Sequence, residues 1–473
     1  MKSVAQLAIM LAVLALPAVG WAQDFIYSFN SDSTVTIAGY TGWPNQPSGA
    51  LSIPSTITGY PVTSIRNNAF NGCTNLTSVT MPASVTNIGT FAFYLCTSLT
   101  NMTVPVSVTS IGGSAFAACT ALTAITVDAG NPAYCSLGGI LYDKSLATLI
   151  AYPAGLAGSY AISNSVKCLG SRSFFYCSSL TSVAIPNSVT NIGVAAFAAC
   201  TTLTAITVDA DNPAYCSLGS VLYDKSHATL IAYPAGLAGS YTIANSVATI
   251  GTAAFDGCTN LSNVIMPDSV TSVGVAAFAG CTHLTSVTIS TNVTDIGDDA
   301  FEFCYVLDNF TFPDSVTNIG AVAFQWCLSL TSITIPARVA NIGVYAFIDC
   351  PALSSVYFKG NVPNLVGGAQ FSATPATIYY LPNTIGWDTF TGPTPVLWNP
   401  QATPDATFGI LTNRFGFTIT NAGSPTIIVD ACTNLTDLVW VPVSTNTLTG
   451  GTSYFSDPQW TNYTGRFYRF RAL

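Results

Sequence analysis

Apolar residues recur along most of the chain at an interval of 23 residues, and their spacing within each interval predicts two β-segments. Leu76, Val79 and Met81 alternate with Ser78 and Thr80, which is the period-2 pattern of a strand with one buried face. We therefore expect the first three side chains to point into a core and the serine and threonine to point outward.

A second apolar group follows in every interval. Pro82 ends the strand, and Val85, Ile88 and Phe93 then bring the chain back to the core. Gly89 lies in a slot that is glycine in nine of ten units, which predicts a bend that needs a permissive backbone. One unit cannot bury its apolar face alone, whereas stacked units can. The pattern predicts a mainly β solenoid of about twelve 23-residue coils, with one more near Leu51.

Two intervals are longer than the others by 35 residues. The extra residues include the segments 128–153 and 209–234, and each segment contains Asn-Pro and Asp-Lys-Ser between apolar runs. We interpret each as a hairpin that extends from a coil. The surrounding stretches, 119–199 and 200–280, are near copies and indicate an internal duplication.

These motifs carry a family resemblance. The unit C-x-x-L-x-x-[VI]-x-[IVM]-P-x-x-V-x-x-I-G-x-x-A-F resembles the BspA-like leucine-rich repeats of bacterial surface proteins. The long unit N-P-x-Y-x-S-x-x-G-x-L-Y and the segment Y-Y-L-P-N-T-I-G-W from Tyr379 are also similar to that family. The resemblance covers residues 25–400 and implies a leucine-rich-repeat solenoid. It also implies a surface role, because family members are described as adhesins or matrix-binding proteins.

The two ends of the chain differ from the repeats. Residues 1–22 have the pattern of a signal peptide, with Lys2, a short apolar run and a small-x-small site at Gly20-Trp21-Ala22. We expect a mature protein exported to the cell surface or medium, with the periplasm as an alternative. Prolines around 393–404 predict a boundary between the solenoid, residues 23–400, and a C-terminal β module, residues 401–473. Alternating runs in the module indicate a small β-sandwich, which resembles C-terminal modules of other secreted repeat proteins.

Composition excludes several classes of partner. Charged residues are 7% of the chain and the formal net charge is −9, so the polarity comes from uncharged side chains. The 12 Lys and Arg residues are scattered, which argues against nucleic acid as a partner. After the N-terminus no apolar run approaches the ~20 residues of a membrane span. The mature chain is therefore expected to have no transmembrane segment.

Ten of the 14 cysteines form a ladder that follows the repeat, each three residues after its phenylalanine. Equivalent positions on neighbouring coils lie close enough for disulfides. However, every coil offers the same slot and no pairing is distinguished, so buried thiols are the favoured interpretation.

The sequence offers no catalytic, cofactor or metal site. Cysteine pairs with zinc-finger spacing are absent, and so are nucleophile elbows and phosphate-binding loops. One acidic cluster contains Asp295, Asp298, Asp299 and Glu302. Two interpretations are open for it, a calcium site or a solvated acidic face.

Two adjacent coils depart from the repeat beside that acidic cluster. The slot before the ladder cysteine, which is Gly or Ala in five of the ten coils, becomes Phe303 and Trp326. The slot after it, usually Thr or Ser, becomes Tyr305 and Leu328. These four residues are the candidate partner-binding patch. The alternatives are that they dock the C-terminal module or fill a local packing gap.

Taken together, these patterns favour a non-enzymatic binding or adhesion protein whose partner is an extracellular or envelope protein or glycan. A structural component of the cell envelope is the alternative. An enzyme acting on polysaccharide is a third hypothesis, for which Asp298 and Glu302 are the only faint candidates.

Overall fold

The computed structural model describes residues 18–19, 24–41, 47–308, 310–411, 414–421, 426–435, 439–463 and 465–472. The predicted signal peptide therefore lies almost wholly outside the described residues. The described part is nearly all β, with two short 3-10 helices, Trp387–Thr389 and Trp460–Asn462, and no α-helix. No helix in it is long and apolar enough to span a membrane. The chain divides into two compact units, residues 1–240, 246–261 and 277–282, and residues 241–245, 262–276 and 283–473.

The first unit is built on a column of parallel strands that begins each coil, here named the leucine column. Neighbouring strands pair 23 residues apart, as Ser182 does with Ala205. The strands of this column are Gly49–Ser52, Leu76–Thr80, Asn101–Val104, Ala124–Val127, Gly158–Ala161, Leu180–Ile185 and Ala205–Val208. Leu76, Val79 and Met81 are buried while Thr80 is exposed, which confirms the predicted alternation.

A second column of shorter strands, the isoleucine column, closes the coils. In the first unit its strands are Tyr60–Ile65, Asn87–Ile88, Ser110–Ile111, Thr148–Ala151, Cys168–Leu169, Asn191–Ile192, Thr229–Ala232 and Thr249–Ile250. The N-terminal end of this unit adds Ala18–Val19, Phe25–Phe29, Val35–Tyr40 and Thr56–Ile57. The long repeats form the predicted hairpins, Tyr134–Leu137 with Ile140–Asp143 and Tyr215–Leu218 with Val221–Asp224. The hairpins were expected to project from a coil, but the second strand of each packs into the core, since residues 140–142 and 221–223 are buried.

The second unit has the same two columns. Its leucine column contains Ser286–Thr288, Ser332–Ile335, Ser355–Phe358, Thr377–Tyr380 and Val396–Leu397. Its isoleucine column contains Ser272–Val273, Asp295–Ile296, Asn318–Ile319, Asn341–Ile342 and Asn364–Leu365. Two strands, Gly239–Thr242 and Leu261–Ile265, contain residues of both units. The total is about 15 turns. This number exceeds the twelve coils and one more that the sequence predicts. The strands that begin at Thr377 and Val396 were not counted, because they lack the Leu-x-x-Val spacing that identifies a coil.

Stacked phenylalanines fill the core. Phe324 lies 5.2 Å from Phe301 and 5.2 Å from Phe347 between ring centroids, with nearly parallel planes. In the long repeats a tyrosine takes the same place, because Tyr152 stacks on Phe174 at 5.0 Å. Every coil therefore supplies one aromatic ring, including coils whose sequence lacks the short-repeat motif.

Side chains also join neighbouring coils by hydrogen bonds. The Cys96 thiol donates to the carbonyl of Phe70 at 3.2 Å, and the Cys119 thiol donates to that of Phe93 at 3.1 Å. None of the 14 cysteines forms a disulfide in the described part of the chain. The Thr123 hydroxyl donates to the carbonyl of Thr100 on the preceding coil at 3.2 Å. Cysteine and threonine thus supply donors at positions where alanine or valine supplies none.

The turn before each ladder cysteine has an unusual backbone. Two residues four apart take left-handed conformations, as in Phe91 and Leu95 with φ of 56° and 58°. Between them the Phe93 amide donates to the Ala115 carbonyl of the next coil at 2.8 Å. Left-handed backbone is strained for residues other than glycine. The same pair of slots recurs in coil after coil, so the strain is offset by hydrogen bonds between coils.

The recurring glycine has a different role from the one expected. Gly89 was predicted to supply backbone freedom, but its φ is not in the left-handed region. A Cβ at this position would lie 2.6 Å from the carbonyl carbon of Arg66 on the preceding coil. Glycine is required there because the two backbones approach too closely for a side chain.

The C-terminal residues of the second unit form two small antiparallel sheets. One contains Gln401–Thr403, Gly409–Leu411, Arg414–Thr420 and Thr452–Asp457, and the other contains Thr426–Cys432, Val441–Thr447 and Phe467–Ala472. Phe417 and Phe455 of the first sheet pack with Ile427 and Val429 of the second. The boundary at residue 400 and the sandwich assignment stay predictions.

Candidate partner-binding site

The four residues of the patch lie on the turns of two adjacent coils in the second unit. The Phe303 amide donates to the Gln325 carbonyl at 2.9 Å, and the Ser329 amide donates to the Tyr305 carbonyl at 3.1 Å. These bonds hold the two turns side by side. The 23-residue register therefore brings Phe303 and Tyr305 next to the coil that carries Trp326 and Leu328, as the sequence predicts.

Three of the four side chains present apolar surface. Tyr305 is 37% exposed, Trp326 is 40% exposed and Leu328 is 37% exposed. Phe303 is half-buried, and its ring lies 6.1 Å from that of Tyr305 in an edge-to-face arrangement. Val306, which sequence reasoning did not select, is 37% exposed on the same turn. The sequence could have indicated Val306, because it is apolar and directly follows Tyr305.

Backbone conformation does not explain why large residues occupy these slots. Phe303 and Trp326 have φ of 59° and 60°, the left-handed region in which glycine is favoured. The equivalent slot is glycine in other coils, as at Gly257 and Gly280. A bulky side chain at a left-handed position is unfavourable for the turn itself. Trp326 nevertheless places an indole that is 40% exposed on this turn.

A chain of hydrogen bonds orients the Trp326 indole. With the Gln325 amide placed so that its nitrogen donates to Glu302 Oε1 at 3.3 Å, its oxygen accepts from Trp326 Nε1 at 3.3 Å. Glu302 is the only glutamate in the chain. The carboxylate, the amide and the indole thus form one unit at the edge of the patch, which sequence reasoning missed because the link passes through Gln325.

Burial governs the ionisation of this acidic edge. Partial burial raises the pKa of Glu302 to about 7, and the neighbouring Asp299 carboxylate adds to the increase. Burial and the Asp298 carboxylate likewise raise the pKa of Asp299. Both shifts disfavour the charged form. A cation placed against these groups would favour the charged form and lower both pKa values.

The acidic cluster does not converge on a common point. Asp298 Oδ1 accepts the Ala321 amide of the next coil at 2.7 Å, and Asp295 Oδ2 accepts the Thr294 hydroxyl at 2.6 Å. Within the described residues, no group of three or more acidic, histidine or cysteine side chains has the arrangement of a metal site. The calcium interpretation therefore has no support, and these carboxylates serve turns and the edge of the patch.

The C-terminal module does not bury the patch in the described residues. Tyr305, Trp326 and Leu328 keep their exposed surface with the module present. Phe470 and Arg471 of the module instead line a cleft with Tyr357, Tyr379 and Trp398. Of the two alternatives considered for the patch, docking of the module is thus not observed.

One family model matches most of the repeat region. Residues 49–135, 157–225, 237–354 and 276–386 match the family model described as BspA type leucine rich repeat region (6 copies). Among solved structures, a leucine-rich cell surface protein from Faecalibacterium prausnitzii shares 32% identity, covering 73% of this chain and 96% of that chain, with a TM-score of 0.43. The pneumococcal vaccine antigen PcpA shares 18% identity over 76% of this chain and 92% of its own, with a TM-score of 0.41. No curated protein matches the chain.

Proposed function

The chain belongs to the BspA-type leucine-rich repeat family, and from that premise we propose that it is a surface protein that binds an extracellular or envelope protein through the patch of Phe303, Tyr305, Trp326 and Leu328. The observation that carries the proposal is the exposure of Tyr305, Trp326 and Leu328 on adjacent left-handed turns. Exposed apolar residues grouped in this way mark interaction surfaces.

The chemistry of the patch favours a protein partner with an arginine or lysine among apolar residues. Trp and Tyr are the side chains that contribute most at protein interfaces. Indole and phenol faces attract cations, and Glu302 and Asp299 offer carboxylates at the edge of the same surface. A neutral glycan would satisfy the rings but would offer no cation to the carboxylates.

Export is part of the proposal and rests on residues 1–22. Expression in a bacterial host with fractionation and N-terminal sequencing tests it directly. A mature chain that begins near Gln23 in the periplasm, at the surface or in the medium supports export. A full-length chain retained in the cytoplasm contradicts it.

The partner is found by screening purified protein against immobilised extracellular-matrix and envelope proteins, with a panel of glycans alongside. The double variant Tyr305→Ala/Trp326→Ala should lose at least tenfold in affinity for the protein that binds wild type. Tyr176→Ala is the matched control, because Tyr176 is an exposed aromatic residue in the same left-handed slot of another coil. If both variants bind like wild type, the patch is not the binding site.

The same samples test the alternative of a structural envelope component. Sedimentation velocity at increasing concentration should show no self-association. Self-association that disappears in the Tyr305→Ala/Trp326→Ala variant would assign the patch to assembly of the chain with itself.

A further inference from the structure

A second candidate site lies in the same unit, where the outward face of the leucine column changes character. The outward slot is threonine at Thr311 and Thr334 and then becomes Tyr357 and Tyr379. The two tyrosine rings stack with centroids 5.0 Å apart and planes 14° from parallel. A column of small polar residues thus ends in an aromatic wall.

The wall forms one side of a cleft of about 730 Å³. Trp398 stands edge-on to Tyr357 at 6.3 Å, and Phe470 and Arg471 of the strand Phe467–Ala472 line the cleft with them. Tyr357 and Tyr379 are largely covered, whereas Trp398 and Phe470 are half-buried and supply accessible ring surface. The volume is in the range of sites that hold small ligands.

The charges around the cleft are opposite in sign to those of the chain. None of the described residues that line it is acidic, while Lys359 and Arg471 are basic, in a protein of formal net charge −9. Lys359 Nζ lies 3.3 Å from Asp314, but both side chains are at least half exposed, so this pair is weak and readily exchanged. Arg471 is held by the buried Asp430 at 2.9 Å. The cleft therefore presents positive charge to a ligand.

Two threonine hydroxyls give the cleft polar contacts that a ligand can reach. They belong to Thr311, which is exposed, and to Thr334, which is half-buried. The Trp398 Nε1 atom makes no hydrogen bond to the described residues, but it is buried and does not face a ligand in the cleft.

We propose that this cleft binds an acidic oligosaccharide, a glycan that carries carboxylate groups. Flat aromatic side chains pack against the C–H faces of sugar rings, and the threonine hydroxyls suit sugar hydroxyl groups. Lys359, at the exposed rim, pairs with the sugar carboxylate in place of Asp314. A fatty acid would leave the threonine hydroxyls without partners. The site shares no residue with the patch, so the two are tested separately.

Isothermal titration of the full chain with acidic and neutral sugars tests the proposal. The acidic probes are tetragalacturonic acid, a hyaluronan tetrasaccharide and 3′-sialyllactose, and the neutral controls are galactotetraose and lactose. We expect at least one acidic probe to bind at least tenfold more tightly than its neutral counterpart. Failure of all three acidic probes to bind, or equal binding of the neutral sugars, would overturn the proposal.

Two variants locate the binding. Lys359→Gln should weaken binding of the acidic probe about tenfold, as expected for the loss of one charge-assisted contact. Trp398→Ala removes the half-buried ring that lines the cleft and should weaken binding severalfold. Lys225→Gln, an exposed lysine of the other unit, is the matched control and should have no effect. Trp326→Ala should also leave sugar binding unchanged, which separates this site from the patch. Wild-type affinity in Lys359→Gln, measured on protein with an unchanged melting temperature, would contradict the assignment.

Discussion

The two long repeats, residues 119–199 and 200–280, share their core and differ at their turns. Phe174 of the first copy stacks on Tyr152 at 5.0 Å, and its counterpart Phe255 stacks on Tyr233 at 5.0 Å. Both hairpins have the same register, with Tyr134 opposite Asp143 and Tyr215 opposite Asp224. Duplication has therefore preserved the aromatic stacking and the hairpin register.

The turns of the two copies carry different chemistry. In the first copy the Arg172 guanidinium lies 5.5 Å from the centroid of the Phe91 ring and 5.6 Å from that of Phe175. The counterparts of Arg172, Phe175 and Tyr176 are Ala253, Asp256 and Gly257. A cleft of about 10 Å³ beside Arg172 corresponds to one of about 200 Å³ beside Ala253. The larger side chains fill space that the second copy leaves open.

The comparison separates the positions that specify the stack from those that are free to change. Residues between the ladder phenylalanine and cysteine differ in burial from coil to coil, since Ala118 and Ala199 are buried whereas Tyr176 and Trp326 are exposed. Glu302 and Phe303 occupy the same two slots as Phe175 and Tyr176. A large residue in the second slot can therefore add apolar surface to a turn, which is the basis for the proposed patch.

The largest expected effect is on the shared core. Phe174→Ala and Phe255→Ala should each destabilise the protein by about 3–5 kcal/mol, because each ring is fully buried between two others. Chemical denaturation of the two variants measures this. The two losses should agree within about 1 kcal/mol, given the usual spread between matched core sites. A much larger loss in one copy would mean that the cores are not equivalent.

A smaller effect is expected where the copies differ. A Cβ on Gly257 would lie 2.6 Å from Ala199 Cα, and the position has φ of 70°. Gly257→Ala should therefore destabilise by about 2–3 kcal/mol, from left-handed strain and overpacking together. Gly280→Ala is the matched control, because it has φ of 66° but its nearest neighbouring atoms are 3.6 Å away. It should lose only about 1 kcal/mol. Equal losses would refute the close approach of the two turns.

Glu302 should make stability depend on pH. Burial raises its pKa from 4.5 to about 7, so the folded protein binds this proton more tightly than the unfolded chain. Stability should therefore fall as pH rises from about 4.5 to about 7, and Glu302 should cause no further decrease above that range. Because Glu302 is partly exposed, solvent screening limits the fall to about 1 kcal/mol.

The variant Glu302→Gln should remove most of that decrease. Asp388→Asn, at an exposed aspartate of the same unit, is the control and should leave it in place. Melting temperatures of the three proteins between the two pH limits decide the matter. A fall with the wild-type amplitude in Glu302→Gln would assign the pH dependence to another group.

The smallest effect is expected for alkylation of the cysteine thiols, which again distinguishes the two copies. Cys135, Cys168 and Cys216 are half-buried, whereas the other 11 cysteines are buried. Because Thr249 replaces Cys168 in the second copy, limited alkylation of the folded protein should label two sites in the first copy and one in the second. Peptide mass spectrometry reads this ratio. After unfolding without reductant, at least ten of the 14 cysteines should react. Labelling of ladder cysteines in the folded protein, or blocked thiols after unfolding, would count against the buried ladder.

Much of the fold could be predicted from the sequence, because equivalent residues make equivalent contacts in each repeat. The alternation around Leu76, the phenylalanine column and both hairpins are periodic signals that local patterns predict. The left-handed turns were not predicted. The available signal was glycine at Gly72, Gly257 and Gly280, but the same slot holds Leu95 and Trp326 in other coils. The role of Gly89 was also missed, because its requirement comes from the backbone of another coil.

The candidate sites divide in the same way. The neighbouring positions of Phe303 and Trp326 follow from the period, so the patch was accessible to sequence reasoning. Their link to Glu302 through Gln325 depends on side-chain orientation, which spacing does not specify. The aromatic cleft combines Tyr357, a visible break in a threonine column, with Phe470, which belongs to a separate sheet. No local pattern connects the two.

The most direct test of the central claim is the melting temperature of Tyr305→Ala/Trp326→Ala, measured on the same samples as its binding. Both side chains lie in outward turn slots, so the account predicts a melting temperature within about 2 °C of wild type, the scale of sub-kcal/mol surface substitutions, together with lost binding. A drop of several degrees would show that these residues hold the stack together, and it would contradict their assignment to a partner-binding surface.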